Sequence, residues 1–170
     1  MLSKKPTGYQ DKISYFPNEN IEVYLASESD YEKEIKLFDI NGGKVNQVKA
    51  KLIKQPKVNK KTWYEIGYQY KKTFDYNSGN LKSWIYYFET SSPFVIKNPK
   101  KQNDILVVYP SNTINAYNKN GGRSTYTKPM GVKLSRKRPT ELMRQGLEFW
   151  KWLPKQGFNV DYIGDEELGW

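Results

Sequence analysis

The 170-residue sequence predicts a mixed fold: an N-terminal antiparallel β-sandwich over residues 1–98, a linker at 99–103, and a partial α/β domain with a parallel sheet over 104–170. Two observations predict it. Up to Asn98, short runs rich in Ile, Val, Tyr and Phe alternate with turn residues at the spacing of sandwich strands. Beyond residue 103, a near-continuous apolar run, a helical stripe and a second short apolar run follow one another. That is the order of a β-loop-α-β unit.

The elements can be placed in turn. Asp11 to Phe16 is the first expected strand, stopped by Pro17-Asn18. Asn20 to Ser27 sets Ile21, Val23 and Leu25 on one face against Glu22, Tyr24 and Ala26, the alternation of a half-buried strand. Glu34 to Ile40 is its expected partner, and Asn41-Gly42-Gly43 is a tight turn. Trp63 to Tyr70 and Lys82 to Glu89 read as further strands, separated by Asn77-Ser78-Gly79-Asn80. The run Ser83 to Phe88 is apolar on both faces, which predicts a central position. Phe94 to Ile96 closes an immunoglobulin- or fibronectin-like module.

Asp104 to Tyr109 is a strand of the parallel-sheet type. Residues 140–156 are expected to form a helix, with Leu142, Gly146, Phe149 and Leu153, and Met143, Leu147 and Trp150 beside them, as one broad apolar stripe, Thr140 as N-cap and Gly157 as stop. Asn159 to Ile163 returns as a second strand. Two strands and one helix leave a sheet face and an edge uncovered, so either a missing C-terminal segment or a homo-oligomer is expected to complete the domain. The chain therefore reads as a truncated or fragmentary one.

Composition removes several chemistries. The chain has neither cysteine nor histidine, which excludes thiol nucleophiles, Ser-His triads, disulfides, zinc fingers and histidine-based metal sites. Nothing reaches membrane-spanning length and the N-terminus lacks a signal-peptide core, so no membrane partner is expected. The reading is of a soluble chain, with the cytoplasm favoured. Net charge is +10, and residues 44–72 hold nine lysines against Glu65 alone. Lysines beside Trp63, Tyr64, Tyr68 and Tyr70 could face nucleic acid or an anionic glycan. Guarding an exposed strand edge explains them more simply, and no nucleic-acid-binding signature accompanies them.

The residues that look built for chemistry lie in the expected loop 111–126, directly after the strand, where α/β sheets bind ligands. It carries Tyr117 and Tyr126, nine positions apart, with Asn118, Gly121, Gly122 and Arg123 as candidate substrate-binding positions. The double glycine could admit a ligand to the backbone, or be only a turn. Arg123 could orient a carbonyl or be solvated. Asp161, Asp165, Glu166 and Glu167 could pair for acid-base work, or form a solvated acidic turn. The run Ser135-Arg136-Lys137-Arg138 is basic enough for phosphate, or merely leads into the helix.

Ile105-Leu-Val-Val-Tyr-Pro110, Ala116-Tyr-Asn118, Gly121-Gly-Arg-Ser-Thr-Tyr126, Leu134-Ser-Arg-Lys-Arg-Pro139, Phe149-Trp-Lys-Trp-Leu153 and Val160-Asp-Tyr-Ile-Gly-Asp165, as a succession, resemble the C-terminal catalytic region of the N,N-dimethylformamidase large (beta) subunit and its relatives. Gly8 to Ile21 and the stretch from Asn77 to Ile96 are similar to the sandwich that precedes it. The resemblance implies an amidotransferase-like α/β domain without a cysteine nucleophile. It implies a hydrolase of linear amides, a small amide substrate, and a mononuclear iron held by two tyrosines and a glutamate. Tyr117 and Tyr126 match the two tyrosine ligands. Phenolate is a hard oxygen donor, and metal charge stabilises it well below the free phenol pKa near 10. The glutamate belongs to a His-x-Glu-Tyr-like motif with no counterpart here, so the resemblance implies an incomplete iron site and an inactive isolated chain. The contrasting expectation is a non-enzymatic sandwich module that binds glycan or protein.

Overall fold

The structure, a computed structural model, describes residues 7–98, 100, 103–138 and 144–168. It is a mixed fold, mostly β-strands in several sheets with three helices. The strands are β1 (Gly8–Gln10), β2 (Ser14–Tyr15), β3 (Asn20–Leu25), β4 (Tyr31–Asp39), β5 (Lys44–Leu52), β6 (Phe74–Asn77), β7 (Trp84–Phe88), β8 (Phe94–Ile96), β9 (Ile105–Tyr109) and β10 (Val160–Gly164). The helices are α1 (Trp63–Ile66), α2 (Ser111–Tyr117) and α3 (Arg144–Lys155). None of the described helices is long and apolar enough to cross a membrane.

Three sheets stack in layers. A three-stranded sheet, β1-β3-β6, faces a five-stranded sheet, β2-β8-β7-β4-β5. The alternation in β3 turns Ile21, Val23 and Leu25 inward, where they meet Ile35, Leu37 and Phe88 from the facing sheet. The other face of the five-stranded sheet is apolar as well. Ile85 and Val95 turn away from the sandwich core and join Val107, Tyr109, Leu147, Trp150, Leu153 and Tyr162. β7, apolar on both faces, is the middle strand of that sheet, as its pattern predicts.

The second core carries the C-terminal unit. β9 and β10 pair in parallel, with Val107 opposite Tyr162, and α3 lays Leu147, Trp150 and Leu153 on one face of the pair. The Tyr162 hydroxyl donates to the carbonyl of Trp150, 3.1 Å away, tying strand to helix. The chain leaves α3 at Gly157, whose φ of +86° suits a glycine stop. The expected helix start, with Thr140 as N-cap, lies outside the described residues. Burial of Trp150 and the two leucines of α3 against β9 and β10 contributes roughly 1.5–3 kcal/mol each at the usual transfer value.

Several sequence expectations are corrected. The sandwich is not wholly antiparallel, because β2 runs parallel to β8. β4 is not the partner of β3: it pairs with β5 and β7 and faces β3 across the core. The expected first strand, residues 11–16, shrinks to Ser14–Tyr15, and Gly8–Gln10 pairs with β3 instead. Trp63 to Tyr70 is not a strand. The segment turns into α1 because burial of the Trp63 ring with Tyr9 and Tyr68 outweighs extension along a sheet. The expected loop 111–126 opens with a helix, α2, anchored where Asn112 N–H donates to the Asp165 carboxylate at 2.9 Å. β5 was not drawn as a strand, yet its Lys44, Lys49 and Lys51 lie on a sheet edge, the guarding role the lysines suggested.

Candidate functional site

The tyrosine pair is built by one turn of backbone. β9 ends at Tyr109, Pro110 redirects the chain, and α2 carries it to Tyr117. Lys119 to Gly122 forms a turn closed by the Gly122 N–H donating to the Lys119 carbonyl at 2.7 Å. Gly121 and Gly122 take φ values of +94° and +93°, which L-residues adopt only with strain. The chain then folds back along α2: Thr125 donates to the Ala116 carbonyl from both its N–H (3.1 Å) and its hydroxyl (3.0 Å). Register follows from that double bond. Tyr126 is placed beside Tyr117, with ring centroids 4.9 Å apart and ring planes at 37°.

Both rings face solvent, Tyr117 at 50% and Tyr126 at 70% of full exposure, so the convergence is not a by-product of core packing. A hydrogen bond to Tyr117 raises the pKa of Tyr126 above the ordinary phenol value. The donor set fits a hard cation such as ferric iron as two of its ligands. No carboxylate appears among the groups that shift Tyr126. Among the described residues, no three of His, Cys, Asp or Glu gather into a metal-binding group.

The four candidate substrate-binding positions have distinct places. Asn118 is fully buried: its amide donates to the Lys137 carbonyl at 2.9 Å and its oxygen accepts from Asn120 N–H at 2.9 Å. Both ends of that side chain are used to shape the loop. Arg123 donates to the Lys128 carbonyl at 2.7 Å and lies 5.2 Å from the centre of the Tyr64 ring. Gly121 rests on Trp63, so closely that a Cβ would come within 2.5 Å of the indole. Gly122 has open space around it.

Beneath the pair sits a residue that the sequence reading did not single out. Arg136 is fully buried and its guanidinium donates to three backbone carbonyls, Asn115 (2.9 Å), Asn118 (3.0 Å) and Arg123 (3.1 Å). Burial brings its pKa down to about 10, which leaves it cationic at neutral pH. Arg138 is also buried, while Lys137 between them is only half-buried. The signal was available as a two-residue alternation within a run that reads as uniformly basic.

A second polar cluster stands at the carboxyl ends of β9 and β10. The Ser111 hydroxyl bonds the carboxylates of Asp165 and Glu166, and Ser14 donates to Glu166 at 2.8 Å. Lys97 donates to Glu167 at 2.6 Å, and this hydrogen bond holds the Glu167 pKa below the usual carboxylate value. Asp161 stands apart from them, accepting from Asn98 and Asn103 at 2.8 and 2.7 Å near the amino ends of the strands. The acidic turn is thus tied to hydroxyls and a lysine. A cleft of about 850 Å3 opens at the amino ends of β9 and β10 between Trp84, Asn103, Lys151 and Asn159. It includes no residue of the tyrosine loop, so volume alone would point away from the convergent phenols.

A family model described as N,N-dimethylformamidase beta subunit-like, C-terminal, matches residues 86–169. No curated protein and no solved structure matches the chain. The matched span begins within the central strand β7 and runs through the tyrosine loop, α3 and the parallel pair. Over residues 86–169 the chain is therefore similar to the C-terminal region of the N,N-dimethylformamidase beta subunit-like family.

Proposed function

We propose that the chain contributes to an iron-dependent hydrolase of linear amides, with Tyr117 and Tyr126 as two ligands of the metal. The observation that supports this most directly is the solvent-facing convergence of the two phenol rings, with centroids 4.9 Å apart. A pair of neighbouring phenols that loses its protons would offer two anionic oxygens to one cation. Bound ferric iron would supply Lewis acidity to polarise an amide carbonyl. A glutamate, the third ligand that the family resemblance implies, would come from outside the tyrosine loop. The buried Asn118 and the backbone of Gly121 and Gly122 keep the loop in register, and Arg123 borders the same surface. In this reading β9, α3 and β10 are the first part of an amidotransferase-like α/β sheet.

Iron analysis of purified protein, together with a visible phenolate-to-iron absorption band, tests the proposal. With the glutamate-bearing segment supplied, wild type is expected to take up iron with that band, and Tyr117→Phe or Tyr126→Phe to weaken both. If wild type and variants remain iron-free in the presence of the glutamate-bearing segment, the hydrolase reading falls and a sandwich binding module takes its place.

A further inference from the structure

We propose that Arg136, seated on the ring of Trp63, is a positioning residue for the Tyr117–Tyr126 pair. The inference concerns the site read above as an iron ligand pair, but it rests on protein geometry alone. Tyr117 and Tyr126 lie on opposite arms of one loop, and neither ring is held by the core. Besides the Thr125–Ala116 bonds that set their register, the arms meet through Arg136. One terminal nitrogen, Nη2, donates to the Asn115 carbonyl (2.9 Å) and side-chain oxygen (3.1 Å) on the α2 arm. The other, Nη1, donates to Asn118 (3.0 Å) and to Arg123 on the returning arm (3.1 Å). A single planar fork therefore fixes the spacing of both arms, which the point charge of a lysine cannot do.

The fork is itself held from the sandwich side. The Arg136 guanidinium lies 5.3 Å from the centre of the Trp63 ring, and Gly121 and Gly131 close on the benzo half of the same indole. The strap that carries Arg136 is sewn to the β-rich part at both ends. Tyr68 N–H donates to the Ser135 carbonyl at 2.6 Å, and Arg138 N–H to the Ser92 hydroxyl at 2.8 Å. Residues that precede the family-matched span, Trp63 and Tyr68, thus set the geometry of two tyrosines inside it.

Photo-oxidative dityrosine coupling of the full chain tests this without iron. Adjacent phenols each lose an electron and a proton and join through a carbon–carbon bond, and Lys119 and Arg123 allow tryptic mapping of the Tyr117–Tyr126 product. Wild type is expected to give that cross-link, and Arg136→Lys, shown folded by circular dichroism, to lose most of it. Folded Arg136→Lys with the wild-type yield would overturn the proposal, as would wild type without the cross-link. Should Arg136→Lys fail to fold, Trp63→Phe decides. It keeps an aromatic ring in the core, breaks no hydrogen bond of Trp63 Nε1, and removes the benzo ring beneath the glycines. Loss of cross-link there supports the proposal and retention overturns it. Wild type that cross-links but binds no iron even with the glutamate-bearing segment supplied would sink the iron reading and leave the positioning role standing.

Discussion

Alanine at Gly121 and at Gly122 separates backbone strain from contact with Trp63. Both glycines have φ near +94°, so each substitution incurs the left-handed penalty of about 1–2 kcal/mol, partly offset by about 0.4–1 kcal/mol from the stiffer unfolded chain. Gly122→Ala meets nothing within 4 Å and is expected to cost about 1 kcal/mol. At Gly121 the new Cβ would stand 2.5 Å from Trp63 Cε2 and 2.8 Å from Cδ2 and Cζ2. The indole cannot retreat: a Cβ on Gly131 would meet its Cη2 at 2.5 Å, and Tyr64, Tyr68 and Arg136 surround it. Overpacking of that kind adds about 1–3 kcal/mol, for a total of about 2–4 kcal/mol. Urea unfolding followed by tryptophan fluorescence measures both variants against wild type. Equal costs would refute the wedge. In a Trp63→Phe background the excess at Gly121 should shrink to within about 0.5 kcal/mol of zero, the additivity expected of sites that no longer touch.

Three further outcomes follow from the same structure. Asp161→Ala strands the amide donors of Asn98 and Asn103 and is expected to cost about 2 kcal/mol in a urea melt, whereas Asp161→Asn keeps the accepting oxygen and should cost about half as much. Burial pushes the Tyr68 and Tyr86 pKa values up to about 12 and raises those of Tyr15, Tyr109 and Tyr162 as well. Since the unfolded phenol titrates near 10, the folded state binds more protons above that pH. Stability should fall as pH rises from about 10 towards 12, with tyrosinate absorbance appearing together with unfolding. Stability that stays flat over this range would contradict the assigned burial. Finally, Tyr117→Phe removes the hydrogen bond that raises the Tyr126 pKa, so the Tyr126 ring carbon signal in NMR should titrate at lower pH than in wild type; an unchanged midpoint would mean the hydroxyls do not meet in solution.

What the sequence revealed and what it hid divide along physical lines. A strand apolar on both faces has to be covered on both, so Ser83 to Phe88 announced the middle strand without any knowledge of its neighbours. The parallel pairing of β9 and β10 was legible for a similar reason, because a helix between two apolar runs permits little else. Strand partnership in the sandwich was not legible. Alternation in β3 and β4 states that each has a core face, and two such strands satisfy it equally well side by side or face to face. The aromatic run Trp63 to Tyr70 misled for the opposite reason, since its β-like composition was serving a local cluster with Tyr9 rather than a sheet.

The two buried arginines show most clearly why the site could be only half read. Sequence reasoning values a basic run by its average environment, and on average Ser135 to Arg138 is solvated. Arg136 and Arg138 are buried without an ion pair among the described residues, because neutral acceptors meet them: carbonyls of Asn115, Asn118 and Arg123 for one, and the carbonyl of Leu134 and the side chain of Gln10 for the other. Those acceptors converge only after α2 has formed and the loop has turned back, so no local pattern encodes them. A guanidinium neutralised by a carboxylate would accept either arm of the loop in several positions; one satisfied by fixed carbonyl dipoles is committed to the geometry that offers them. Among the described residues the Nε atoms of both arginines have no hydrogen-bond partner, which for a buried donor costs about 1–3 kcal/mol each. A loop held by those fixed acceptors, under two tyrosines that face solvent, is what the proposed ligand pair would require.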